Sequence, residues 1–326
     1  MQPKKPGDRI GPFRVRTVVT PGAQALSYVC ADAHGGAVFV KEYELVRDRA
    51  TKERFFREAE TLARLGSTPY LPRYVTSDLQ AERPWIAMEF VPGGSLSDHV
   101  AAHGPFTDDR AAELGTQLAQ ALHELHCLNP TNELVHRDVK PQNVMLTRDS
   151  CKLVDLGIIG GPGFAPMTTV GFQPGTPFFM SPEQMEGREL SGASDVYSLA
   201  LTLLFAIGEL RQDAFETEIN LALGRSRPLI KLLHEVIAAR RPEDRPSAAV
   251  FSERLTEVAR PEVDEANKTT GRPRRRAPVK IDRASMMGAR EVPLGWCITS
   301  GHCDECPGVV ELSTGTTVYC SHGCHA

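Results

Sequence analysis

The sequence predicts an α+β protein: a strand-rich lobe, a helical lobe, and a small cysteine-rich, metal-bound module at the end. Three observations carry this. Residues 10–91 hold short runs of β-forming residues broken by glycine turns, leucines beyond Pro92 recur at helical spacing, and five of the eight cysteines crowd into residues 297–326. A chain of 326 residues exceeds one average domain, which suits a domain of roughly 250 residues plus an appendage. With 41% hydrophobic and 24% charged residues, the composition is that of an ordinary globular protein. A net charge of −4 argues neither for nor against nucleic acid. No apolar run reaches the roughly 18–20 residues of a membrane span; the longest, Leu199–Ile207, contains Thr202. The N-terminus, Met1-Gln2-Pro3-Lys4-Lys5-Pro6, lacks an apolar signal segment. A cytoplasmic protein without membrane contact is therefore expected, and with it reduced thiols.

Taken in order, residues 1–9 are an N-terminal tail and residues 10–91 the first lobe. Val15, Val18 and Val19, then Tyr28 and Val29, then Val38 to Val40 read as strands separated by turns at Pro21-Gly22 and Gly35-Gly36. Between Lys52 and Leu65, Phe55, Ala59, Leu62 and Ala63 repeat as on a helix, which Gly66 stops. Pro92-Gly93-Gly94 opens the second lobe, residues 92–260. There Thr107 or Asp108 caps a helix carrying Leu114, Leu118, Leu122 and Leu125. Val196–Ile207 is apolar nearly all round, as a central buried helix must be, and Leu229–Ala239 and Ser247–Val258 are further helices. Over residues 261–292 the periodicity lapses. Eight Lys or Arg residues between Lys268 and Arg290 face one acid, Asp282, which predicts a basic, flexible linker. The cluster Arg272, Arg274, Arg275 and Arg276 reads first as solvated linker, with nucleic acid or an acidic partner as the alternatives. Residues 293–326 form the terminal module.

The chemistry is concentrated in His136-Arg137-Asp138-Val139-Lys140-Pro141-Gln142-Asn143 and, 17 residues after Asp138, in Asp155-Leu156-Gly157. Two carboxylates, a lysine and an amide on two short loops suit a metal-bound polyphosphate attacked by a hydroxyl. Phosphoryl transfer asks the protein for charge neutralisation, a positioned nucleophile and hard oxygen ligands rather than covalent chemistry. A lone H-x-D would be chance; eight motif positions followed at this interval by D-x-G are specific. The two segments resemble the catalytic and metal-binding loops of the eukaryotic-type protein Ser/Thr kinase family, with Leu156 where Phe is usual. The resemblance extends over about residues 10–258, and Pro6–Phe13 is similar to the opening of bacterial members.

That resemblance implies the bilobal protein kinase fold, with ATP and Mg²⁺ or Mn²⁺ as cofactors. It implies transfer of the γ-phosphate to Ser or Thr of protein substrates, and self-association for autophosphorylation. Asp138 takes the place of the catalytic base, and Lys140 that of the lysine that contacts the γ-phosphate and goes with Ser/Thr acceptors. Asn143 and Asp155 match the metal ligands. Lys41, in Val38-Phe39-Val40-Lys41, matches the lysine of the α- and β-phosphates. Glu58 is its ion-pair partner, preferred to Glu60, which falls on another helix face. His136 is scaffold.

The phosphate-covering loop, Thr20–Ser27, retains only Gly22 of the family's glycines, and Pro21 removes an amide donor. Ser27 and Phe39 exchange the sizes of the residues that roof the adenine. Adenine is expected at the backbone of Glu89 and Val91 in a hinge at Met88–Val91, with Met88 gating the pocket and Met145 flooring the ring. Ile158–Phe179 matches the activation segment. Arg137 beside Asp138 is the pattern of kinases switched by phosphorylation, here on Thr168 or Thr169. Thr176 is expected to bond Asp138 and Lys140. Glu183 and Arg245 match an interior ion pair, and Asp195 a brace for the catalytic loop. The rival reading, motivated by the degenerate glycine loop, is a scaffold without turnover.

In the tail, Cys303-x₂-Cys306 and Cys320-x₃-Cys324 lie thirteen residues apart, room for a hairpin joining two chelating pairs. Two thiolate pairs converging tetrahedrally is how a zinc ribbon binds Zn²⁺. Cys297, His302, His322 and His325 are rival ligands. A disulfide framework, an iron–sulfur cluster and redox-active thiols are the other readings. Four thiolates leave no open coordination position, so the site reads as structural, its metal supplying most of the module's folding free energy. Docking of a partner or substrate is the expected use, and a nucleic-acid-binding ribbon regulated by the kinase lobe is the alternative.

Overall fold

A computed structural model describes residues 3–19, 25–43, 49–65, 68–129, 133–148, 150–156, 177–210, 227–259, 309–311 and 317–319. The chain divides into two units, residues 1–262 and 263–326. The first begins with strands β1 (Arg9–Ile10), β2 (Phe13–Val19), β3 (Ala25–Ala31) and β4 (Ala37–Tyr43). Helix α1 (Arg49–Leu65) and strands β5 (Tyr74–Asp78) and β6 (Trp85–Glu89) complete the strand-rich lobe. The strands form one antiparallel sheet in the order β1-β2-β3-β4-β6-β5.

Strand alternation sends side chains to both faces, and both are apolar. Phe13, Val15, Leu26, Tyr28, Cys30, Val38, Val40 and Trp85 make a core on one side, where the Phe13 and Trp85 rings meet edge to face at 5.7 Å. Ala25, Tyr43, Ile86 and Met88 belong to the other core, shared with Phe55, Ala59 and Leu62 of α1 and with the second lobe. The predicted helix thus exists and starts three residues earlier than its apolar repeat, at Arg49. Ala63 is exposed rather than on the packed face, which is drawn by Phe55, Glu58, Ala59 and Leu62 at the i, i+3, i+4, i+7 spacing of a buried stripe.

The second lobe holds α2 (Leu96–His103), α3 (Asp108–His126), the hairpin β7 (Val144–Leu146) and β8 (Cys151–Leu153), α4 (Pro182–Met185), α5 (Gly192–Ala206), α6 (Pro228–Ala238) and α7 (Ala248–Ala259). Thr107, not Asp108, caps α3 by accepting the Arg110 N–H. Leu114, Leu118, Leu122 and Leu125 are all buried, and α5 is buried along nearly its whole length, as its all-round apolarity predicts. At Gly115 of α3 a methyl group would come within 2.7 Å of Leu203 and 3.1 Å of Leu255, so α3, α5 and α7 close-pack there because the residue has no side chain. No helix among the described residues is long and apolar enough to cross a membrane.

In the second unit β9 (Val309–Glu311) and β10 (Thr317–Tyr319) pair antiparallel, Val309 opposite Tyr319. This pairing lies in the stretch between Cys306 and Cys320 that has room for a hairpin. Cys303, Cys306, Cys320 and Cys324, with their rivals Cys297, His302, His322 and His325, lie outside the described residues.

Candidate active site

The site forms where the loop between α3 and β7 and Asp155, two residues beyond β8, meet the sheet. Position 138 is reached through backbone that L residues seldom adopt: Arg137 has φ +69°. The fold holds it there from below. Asp195, at the start of the buried helix α5, accepts the His136 N–H at 2.7 Å on one oxygen and the Arg137 N–H at 2.8 Å on the other. His126 at the end of α3 approaches the first of those oxygens at 2.9 Å. The predicted brace is in place.

Asp138 uses both carboxylate oxygens. Oδ1 meets Lys140 Nζ at 2.8 Å, and Oδ2 accepts from Asn143 Nδ2, also at 2.8 Å. The same amide nitrogen bonds the Asp138 carbonyl at 2.8 Å, which commits the nitrogen and leaves the amide oxygen of Asn143 as a hard donor. Asp155, at φ +57°, gives Oδ1 to Lys41 at 2.5 Å and keeps a second oxygen on a side chain 53% exposed. Two such oxygen donors fit Mg²⁺ or Mn²⁺ by their chemistry.

Lys41 projects from β4 and also meets Glu58 of α1 at 2.5 Å. Glu60 is exposed and plays no part in the pair. Burial works against the Lys41 charge, but the carboxylates of Asp155 and Glu58 outweigh it and hold the ammonium above the ordinary lysine value. Burial lifts Glu58 above the ordinary glutamate value although Lys41 pulls it down. The Lys41 charge keeps Asp155 below its ordinary value. The lysine thus links the first lobe to the loop of the second as a permanent cation.

Ser27 and Phe39, the two residues of the expected exchange of sizes, are diagonal neighbours on one face of the β3–β4 pair. Across β3 and β4, Ser27 sits opposite Lys41, whereas Phe39 sits opposite Val29 and, on its other side, Met88. Met88 and Glu89 end β6 rather than lying in a linker, with Met88 4% exposed. The Glu89 N–H donates to the Arg73 carbonyl at 2.8 Å, so it is already used. Among the described residues, no hydrogen bond engages the backbone of Val91. Met145 lies half-buried on β7, bridged to Ser95. Gly22, Gly157, Thr168, Thr169 and Thr176 fall outside the described residues.

Glu183 and Arg245 pair bidentately at 2.7 and 3.0 Å, both side chains fully buried. Burial raises the Glu183 pKa, but bonds from Arg245 and Ser194 more than offset that and leave it at about 2. Three polar side chains that the motifs did not single out also build the site. His126 continues the Leu118 and Leu122 stripe of α3 at i+4, so its inward position was readable from spacing. Lys152, on β8, bonds Glu89 at 2.9 Å and the Leu71 carbonyl at 3.1 Å. Gln184, on α4, reaches the Arg137 carbonyl at 2.6 Å. Nothing in the local sequence pattern marks the last two.

A strand-rich lobe facing a helical lobe over a buried Lys–Glu pair, two oxygen donors and a positioned aspartate defines the class, a bilobal fold arranged for phosphoryl transfer. The protein kinase domain family matches residues 13–253, and the chain belongs to that family. It is 39% identical over 201 residues to the serine/threonine-protein kinase AfsK of Streptomyces griseus, a stretch of 61% of this chain and 24% of that protein. It is 37% identical over 174 residues to the serine/threonine-protein kinase PknB of Mycobacterium tuberculosis, covering 51% of this chain and 27% of that one. The chain thus spans about a quarter of the length of these curated relatives. Among solved structures, a cysteine-to-alanine mutant of the M. tuberculosis PknI kinase domain superposes with a TM-score of 0.60 over 79% of this chain and all of that one, at 24% identity, a likeness of fold.

Proposed function

We propose that this chain is an ATP-dependent protein serine/threonine kinase of the bacterial type. The observation that carries this reading is the convergence, from four separate stretches of the sequence, of Lys41, Glu58, Asp138, Asn143 and Asp155 with the contacts phosphoryl transfer needs. Asp138 orients the acceptor hydroxyl and receives its hydrogen bond. Lys140, already beside Asp138, offsets charge on the transferred phosphoryl group. Lys41, kept charged by its two carboxylates, holds the α- and β-phosphates. Asn143 and Asp155 would hold Mg²⁺ or Mn²⁺, and the ion when bound neutralises charge on the β- and γ-phosphates. Adenine would bond the Val91 backbone over Met145, with the Glu89 carbonyl as its other partner. Lys140 supports Ser or Thr as acceptor, and the Ser/Thr kinases among the relatives support the same choice.

The kinase domain is proposed as residues 10–260, joined by a basic linker, 261–292, to a zinc-ribbon-like module, 293–326. The division of the chain near residue 262 supports that boundary. The β9–β10 hairpin supports the ribbon: Cys306 precedes Val309 by three residues and Cys320 follows Tyr319 directly, so both cysteine pairs attach at the open end. The module would dock a partner or substrate, and the kinase would autophosphorylate at Thr168 or Thr169.

The test is phosphate incorporation from γ-labelled ATP by the wild type beside Asp138→Asn and Lys41→Met. Label in the wild type and a loss of roughly 10³-fold or more in both variants is expected. Nucleotide binding without incorporation would replace this reading by the scaffold. For the tail, metal analysis of the purified chain is expected to give one zinc per molecule, lost in Cys303→Ser/Cys306→Ser. A metal-free wild type would end the ribbon reading.

A further inference from the structure

The Arg137–Asp138 peptide carries the proposed base, and its left-handed Arg137 is a conformation that persists only where the surroundings over-determine it. Asp195 fixes the N–H side of Arg137, and the carbonyl side needs its own partner. That partner comes from α4. Ser181 is its N-cap, and the reciprocal capping box uses the Gln184 N–H, which donates to Ser181 Oγ, and the Gln184 side-chain oxygen, which accepts from the Ser181 N–H at 3.3 Å. With the amide oxygen committed to the cap, the amide nitrogen points out of it and donates to the Arg137 carbonyl at 2.6 Å. The preceding residue, Glu183, is locked to Arg245. The amide is therefore a strut with a fixed base.

We propose that Gln184 is a positioning residue that sets the angle of Asp138 by holding the Arg137 carbonyl. This rests on the kinase reading above. The bond also links α4, directly after the proposed activation segment, to the catalytic loop through a single side chain. Rearrangement at the start of α4 then reaches the base through one hydrogen bond. Only a group with an acceptor for the cap and a donor for the carbonyl does both tasks, and glutamine at the third helical position has both.

Two substitutions of Gln184 separate positioning from mere folding. In Gln184→Glu the carboxylate keeps the cap acceptor but faces the Arg137 carbonyl without a proton; when protonated it regains a donor. Steady-state phosphorylation of a peptide by the full chain is expected to show kcat lowered roughly ten- to hundred-fold near pH 8, with little change in KM for ATP. The ratio of variant to wild-type kcat should climb as the pH is lowered toward about 6. Gln184→Ala should lose activity similarly and show no such recovery. Hydrogen exchange is the second readout: amides of residues 134–139 should exchange faster in both variants, while those of α3 and α5 do not change. A flat ratio for Gln184→Glu, or unchanged exchange at residues 134–139, would overturn the strut. A wild type without turnover would overturn the kinase reading, and the exchange data would still decide the strut.

Discussion

At the scale of single residues, the most consequential buried charge is Arg245. Its guanidinium donates to both oxygens of Glu183 and to the carbonyls of Ala239, Ala193 and Arg240, and lies 4.8 Å from the centre of the Tyr197 ring. Every donor direction is used, which is what a fully buried cation requires. Arg245→Met leaves the Glu183 carboxylate buried without its cation, and about 3–5 kcal/mol of stability should go with it. Glu183→Gln together with Arg245→Met should lose less than Arg245→Met alone, because the uncompensated charge is gone. Urea unfolding of the wild type, both single variants and the double variant checks this, and losses that simply add would show that the pair is not coupled. Both partners were legible in the sequence because each sits in a short motif. Gln184 and Lys152 were not, because their roles depend on which carbonyl the fold brings opposite them.

At the scale of elements, what was legible followed the strength of the local period. The strands at Val15–Val19, Tyr28–Val29 and Val38–Val40, and the helices at Leu114–Leu125 and Val196–Ile207, appear where alternation or helical spacing placed them. Strands β5 and β6, helix α2 and the β7–β8 hairpin were not singled out. Val144–Leu146 and Cys151–Leu153 are three residues each, too short to show a period, and exist because tertiary contacts hold them. One of those contacts ties β7, the proposed floor of the adenine site, to the linker between the lobes. The Leu146 N–H donates to the Gly94 carbonyl at 3.0 Å, and Ser95 bridges to Met145. The close approach needs Gly93, whose φ is +123° and at which a methyl group would overlap the Leu146 carbonyl oxygen. Gly94 has no such constraint: a methyl there would make ordinary contact with Asp98 at 3.6 Å. Gly93→Ala should push β7 away from the linker and weaken nucleotide binding about ten-fold or more, while Gly94→Ala should stay within about three-fold of wild type. Calorimetric titration of both with a non-hydrolysable ATP analogue decides it, and equal effects would place the floor independently of the linker.

At the scale of the whole kinase unit, the lobes are joined by ionisable contacts as well as apolar ones. Lys41 meets Asp155 across the cleft, Lys152 meets Glu89 at the end of β6, and the Leu153 N–H donates to the Tyr70 carbonyl at 2.9 Å. Two glutamates therefore give stability and activity different responses to acid. Glu183, with a folded pKa of about 2 against an ordinary 4.5, contributes stability that is complete above about pH 4.5 and is lost as the pH falls toward about 2. That contribution is on the order of 3 kcal/mol. Glu58 has the opposite sign. Burial raises its pKa, so the folded state takes up its proton before the unfolded chain does, and its contribution to stability improves as the pH falls toward 4.5. Protonation there nevertheless removes one of the two carboxylates that hold Lys41. Activity should accordingly fall in mildly acidic solution in which the fold is still intact. Glu58→Gln should show kcat lowered roughly ten- to hundred-fold near neutral pH, and the ratio of variant to wild type should rise toward one as acidification gives both chains an uncharged residue 58. Urea midpoints measured over the same range should hold steady to about pH 4.5 before dropping. A constant activity ratio would remove Glu58 from the acid limb, and a midpoint that fell in step with kcat would assign the loss to unfolding.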